Sequence, residues 1–138
     1  LFTGFQLEQG TKATDFEFEP FDVVLQKGQR YCYKIDSDLN GNSQFFAASA
    51  WDADEGYGIL PFPTPMRAVP TLTTNGTFQV SMAGTTTTLT GVTLNQGNPL
   101  NSNLKIAASG TPFTAGQTGT VAPVGASTSN YLIFDAEL

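Results

Sequence analysis

A chain of 138 residues with 40% hydrophobic content is long enough for one domain with a buried core. Six Lys and Arg against twelve Asp and Glu give a net charge of −6, and the scattered cations form no basic stripe for nucleic acid. No run approaches the ~18 apolar residues of a membrane span, and with no histidine and a single cysteine, Ser-His-Asp catalysis, thiolate clusters and His-bearing metal sites are all excluded.

Charged residues make up only 13% of the chain, about half the usual share, and Gly, Pro, Thr, Ser and Asn fill the gap. Low charge with many β-branched and turn-forming residues predicts an all-β domain. The opening LFTGFQLEQG has neither the basic segment nor the apolar run of a signal peptide, and a start at Leu1 is expected of a fragment. DFEFEPF alternates acidic and aromatic residues, with Phe16 and Phe18 expected on one packed face until Pro20 interrupts strand pairing. VVLQKG, Val23 to Gly28, reads as a last helical turn or a short connection.

RYCYKID follows as a period-2 strand with Tyr31, Tyr33 and Ile35 on one face, and Cys32 is expected as a small buried hydrophobe. The next loop carries Asp36, Asp38, Asn40 and Gly41 at the D-x-D-x-N-G spacing that opens a calcium loop. Its twelfth position is Ala47, where a bidentate Glu is needed, so Asp36, Asp38 and Asn40 are weak metal candidates and no metal is expected to be required. QFFAASAW, Gln44 to Trp51, is a short apolar strand that ends in the acidic turn DADEG. Asp52, Asp54 and Glu55 of that turn are the one possibility for a paired-carboxylate enzyme, but an acidic turn after a strand is the ordinary reading, and no enzyme activity is expected. Trp51 reads first as a core anchor and second as a stacking platform for a sugar, with Tyr57 as its companion candidate.

Pro61, Pro63, Pro65 and Pro70 forbid a helix over the following segment and favour polyproline or edge geometry from Phe62 to Arg67. PTLTT and TFQVSMA flank Asn75–Gly76, which predicts a hairpin and outweighs the formal glycosylation sequon at the same place. TTTTLTGVTL, NLKIAAS and NYLIFDAEL are further strands, and Thr111 to Ser129 is a long polar loop with room for one short strand. Turn signals at this spacing predict an antiparallel β-sandwich of jelly-roll type. Between Arg67 and Asp135 the one charged residue is Lys105, a composition suited to faces that meet identical subunits or uncharged glycans. Arg30 and Arg67 are isolated cations expected to pair with carboxylates at a boundary, Glu17, Glu19, Asp135 and Glu137 being at hand.

Three stretches carry a family likeness. GFQLEQGTKATDFEFEPFDVVLQKGQRYCYKI resembles a segment of bacteriophage tail-fibre and related virion proteins through Gln6, Leu7, Glu8, Gly10, the Ala13–Thr14 and Phe16–Glu17 pairs, Leu25, and Gln29–Arg30–Tyr31. FPTPMRAVPT is similar to their "F-P-x-x-MR-A-x-PT" element, and YLIFDAEL resembles their closing strand. Lys27–Gly28 departs from the Leu-Cys often found there, and Cys32 stands in place of an aromatic or variable residue. The resemblance implies that residues 1–22 close a preceding β module and that residues 23–138 form a C-terminal β-sandwich domain. It further implies a non-enzymatic, trimeric tail-fibre or spike module in the virion. The expected partners are identical subunits, other virion proteins and host cell-surface polysaccharide, with no cofactor, nucleic acid or membrane. A capsid decoration protein and a carbohydrate-binding module of a secreted protein are the alternatives.

Overall fold

The computed structural model describes residues 12, 18–37, 43–125 and 129–137. Of the strap expected over 1–22, only Lys12 and residues 18–22 fall among these, and Phe18, expected on a packed face, is exposed. Pro20 starts a helix where a strand was expected to stop: its fixed φ and its carbonyl, which accepts from Val23 N and Val24 N at 3.1 and 3.2 Å, launch α1 (Phe21–Gln29). Asp22 in the first turn and Lys27 in the last suit the helix dipole, and Lys27 also pairs with Glu19. No α1 residue is buried, and Phe21 stands 77% exposed.

Among the described residues nine antiparallel strands follow: β1 (Cys32–Asp36), β2 (Phe46–Ala50), β3 (Glu55–Pro61), β4 (Thr71–Asn75), β5 (Phe78–Met82), β6 (Thr85–Gly97), β7 (Asn101–Ala108), β8 (Thr118–Pro123) and β9 (Tyr131–Asp135). The expected all-β antiparallel class is what forms. In place of an open jelly-roll-like sandwich, six strands close into a barrel in the order β2-β3-β7-β6-β5-β8, with a three-stranded sheet β1-β9-β4 beside it. Closure follows from β8, which pairs with both β2 and β5 and so removes the edges a sandwich would keep. β8 comes from the polar stretch where the sequence left room for one short strand.

Period-2 alternation fixes which side chains fill the barrel. Along β7, Ser102, Leu104, Ile106 and Ala108 point inward and Asn101, Asn103 and Lys105 outward. Val80, Leu104, Ile106 and Val121 are fully buried, and Leu132 and Phe134 of β9 join the same hydrophobic cluster from the three-stranded sheet. There Phe134 meets Phe62 edge-on at 5.1 Å and stacks with Tyr33 at 6.3 Å, so the proline-rich segment after β3 packs its one aromatic between barrel and sheet. Cys32 departs from expectation. Tyr33 and Ile35 take the inward side of β1, and the same alternation turns Cys32 outward.

Asn75–Gly76 does not form a hairpin. β4 pairs with β9 and β5 pairs with β6 and β8, so these two residues carry the chain from one sheet to the other. Gly76 has φ 95°, and an added Cβ would overlap Asn130 Oδ1, which itself accepts from Thr77 N at 3.3 Å. The tight hairpin lies one strand later, where Met82 pairs with Thr85 across Ala83 and Gly84, whose φ values of 48° and 80° are those of a type I′ turn.

Candidate functional site

The barrel flank built by β2, β3, β7 and β6 carries the residues on which the sequence analysis placed ligand contact. Ala50 N donates to Gln117 O at 2.8 Å and Trp51 N to Glu55 O at 2.9 Å, which ends β2 and turns the chain. The turn is then clamped from two sides: Ala108 N donates to Asp54 O and Phe113 N to Ala53 O, both at 2.9 Å. Inside it, Asp52 Oδ1 accepts from Asp54 N at 3.2 Å and Glu55 N at 2.9 Å. These two backbone donors, Asp54 before Glu55, hold the Asp52 carboxyl below its usual range.

A turn fixed at this many points holds Trp51 in the open. Its side chain is 73% exposed and meets Tyr57 edge-on at 6.3 Å between ring centroids, so it is a surface platform and not the core anchor it was first read to be. The physical reason lies in the β2 alternation: Ala48 and Ala50 fill the inward positions, and Trp51 falls just past the strand where the turn begins.

Tyr57 pairs with Ser49 on one side and Lys105 on the other, and Lys105 with Thr93, so these outward side chains form one row across four strands. The next row places Ile59 beside Asn103 and Asn103 beside Gln96. Between Leu94 and Gln96 the register slips by one residue, and Asn95 is the extra residue of that bulge. Trp51, Tyr57, Asn95 and Asn103 line a shallow depression of about 450 Å³. Glu55 and Lys105 form an ion pair nearby, and the hydrogen bond to Glu55 raises the Lys105 pKa against the opposing effect of burial.

An aromatic pair flanked by carboxamides, with Lys105 held by Glu55, offers CH-π stacking and neutral hydrogen bonds. Two carboxylates of the turn are engaged elsewhere, Asp52 on backbone amides and Glu55 on Lys105, while Asp54 is exposed at the turn.

The other candidate residues lie apart from this flank. Arg67 stands over the Tyr31 ring at 5.6 Å, and its backbone N donates to Arg30 O at 2.7 Å. Among the described residues neither Arg30 nor Arg67 forms an ion pair, so the orienting contact is cation-π where a carboxylate was expected. Asp36 ends β1 in an ion pair with Lys34 at 2.8 Å, whereas Asp38 and Asn40 lie outside the described residues. Sequence reasoning missed Ile59, 66% exposed on the flank, and the Glu55–Lys105 pair. The signal for Ile59 was present in Y-G-I, where glycines alternate with large side chains that must share the other face. No protein-family model, curated protein or solved structure matches this chain.

Proposed function

We propose that this chain is a non-enzymatic adhesion module of a phage virion, a tail-fibre or spike domain that works as a homotrimer and contacts uncharged glycan on the host surface. The exposed Trp51–Tyr57 pair, beside a depression lined by Asn95 and Asn103 with no charged residue, is the observation that carries the glycan reading. A large aromatic held in water by a rigid turn is costly unless something covers it, and a sugar ring does so by stacking. The virion assignment rests on the QLEQG, PMRAVPT and FDAEL resemblances, which also motivate the trimer. Exposed Phe21, Val24 and Leu25 on α1 supply apolar surface of the kind that subunit contact would cover.

A panel of bacterial surface polysaccharides tests the reading. Trp51→Ala is expected to abolish binding while far-UV circular dichroism stays unchanged, and light scattering of the native chain is expected to give a trimer. A folded Trp51→Ala variant that binds as the parent does would refute the adhesion site. A decoration protein remains the competing assignment, and high copy number of the chain in purified particles would favour it.

A further inference from the structure

We propose that the flank takes an extended, uncharged polysaccharide chain laid along β3 and β7, with the Asn103 carboxamide as its central contact; this rests on the glycan reading above. The Trp51–Tyr57 depression is the first of three that adjoin on the barrel. A second, of about 480 Å³, passes over Tyr57, Ile59 and Ser49, and a third, of about 230 Å³, lies between Ile59, Gln96 and Asn98. Asn103 lines all three. From the Glu55 row to the Pro61 row the strand rise gives roughly 20 Å of continuous surface, the shape of a chain and not of a single ring.

Asn103 Oδ1 is buried and has no hydrogen-bond donor among the described residues. A buried amide oxygen left without a donor is unusual and costly, and rotation of the carboxamide toward the groove would let a bound hydroxyl supply one. The Asn95 bulge sharpens this arrangement. The extra residue brings Asn95 and Gln96, two consecutive amide side chains, to the β6 side of Asn103. None of the described residues lining the three depressions is charged, and the nearby Lys105 is committed to Glu55. An anionic polysaccharide would therefore meet no free cation here, whereas a neutral one meets donors, acceptors and two apolar platforms, the Trp51 ring and the Ile59 side chain.

Trp51 is the one tryptophan of the chain, so its emission reports on this groove alone. The probes are neutral homo-oligosaccharides of glucose, galactose, mannose and N-acetylglucosamine, graded from monosaccharide to hexasaccharide, with uronic-acid oligomers as the charged comparison. Affinity is expected to climb about tenfold or more from monosaccharide to trisaccharide, the equivalent of one added hydrogen-bonded contact. Asn103→Ala is expected to cost about tenfold on the longer oligomers, and Asn103→Gln, which keeps the carboxamide, to retain most of the affinity. Should Asn103→Ala fail to fold, Asn95→Ala on the exposed bulge replaces it with the same expected loss. Equal affinity for monosaccharide and hexasaccharide, a folded Asn103→Ala variant that binds normally, or preference for the uronic-acid series would each overturn the extended neutral chain while leaving the Trp51 contact in place. Silence of Trp51 emission toward every series would overturn both.

Discussion

Asp52 shows how a residue chosen for one reason by sequence serves another in the fold. Its carboxylate accepts two backbone N–H groups in the turn that holds Trp51, and its pKa is thereby lowered from the ordinary 3.8. A group with a depressed folded-state pKa contributes stability that is fully present above the unfolded value and is lost as pH falls through the folded one. Asp52→Ala is therefore expected to lower the melting temperature at neutral pH, and the gap from the parent to close in acid, well below pH 3.8. A pH series of thermal melts checks it; a gap that persists unchanged through acid would show that the turn draws nothing from the ionised carboxylate. Trp51 and Tyr57 of this site were legible in the sequence because stacking is a property of the side chains themselves, whereas Asn95 and Asn103 join them only through strand pairing. Exposure was not legible: Trp51 lies one residue past a strand whose end the sequence blurs, and one residue decides between core and solvent.

At the scale of elements, strands declared themselves where alternation was clean, and turns misled where two sites competed. β6, β7 and β9 follow alternating stretches and lie close to where they were expected. Asn75–Gly76 offers the stronger hairpin chemistry, yet it connects two sheets, because the partner of β4 is a distant strand that no local pattern announces. Ala83–Gly84 offers weaker chemistry and makes the real hairpin, with Ala83 held at φ 48°. An alanine in that region is strained, and Asn tolerates it better at the first position of a type I′ turn. Ala83→Asn is expected to stabilise the protein by about 0.5–1 kcal/mol in denaturant titration; destabilisation would mean that Ala83 has packing value the turn geometry does not reveal. β3 was obscured differently. The prolines that begin with Pro61 pointed to edge geometry, yet Pro61 sits at the last position of β3, where it meets Asn101 at the start of β7.

At the scale of the whole molecule, the chain leaves the barrel after β3 to form β4, returns for β5 to β8, and leaves again for β9. One hydrophobic cluster nevertheless spans barrel and sheet, with Phe134 buried where they meet. Phe134→Ala is expected to cost about 3–5 kcal/mol and to loosen both parts together. Hydrogen exchange in which β7 and β9 amides lose protection in step would agree with a single cooperative unit, and loss confined to β9 would not. This closure was the least legible property of all, since pairing between β2 and β8 depends on residues far apart in sequence. The placing of β9 between β1 and β4 also bears on how the protein is made. A ribosome delivers β1 and β4 before residues 131–135, so until β9 emerges these two strands lack the partner that pairs with both, with Tyr33, Ile35 and Leu72 uncovered. Barrel strands can begin to pair as they emerge, but the side sheet cannot exist until its middle strand arrives. The nascent chain thus carries a vulnerable interval that ends when β9 threads between its neighbours, and a message cut short of that point yields a polypeptide with two sticky edges and no seal.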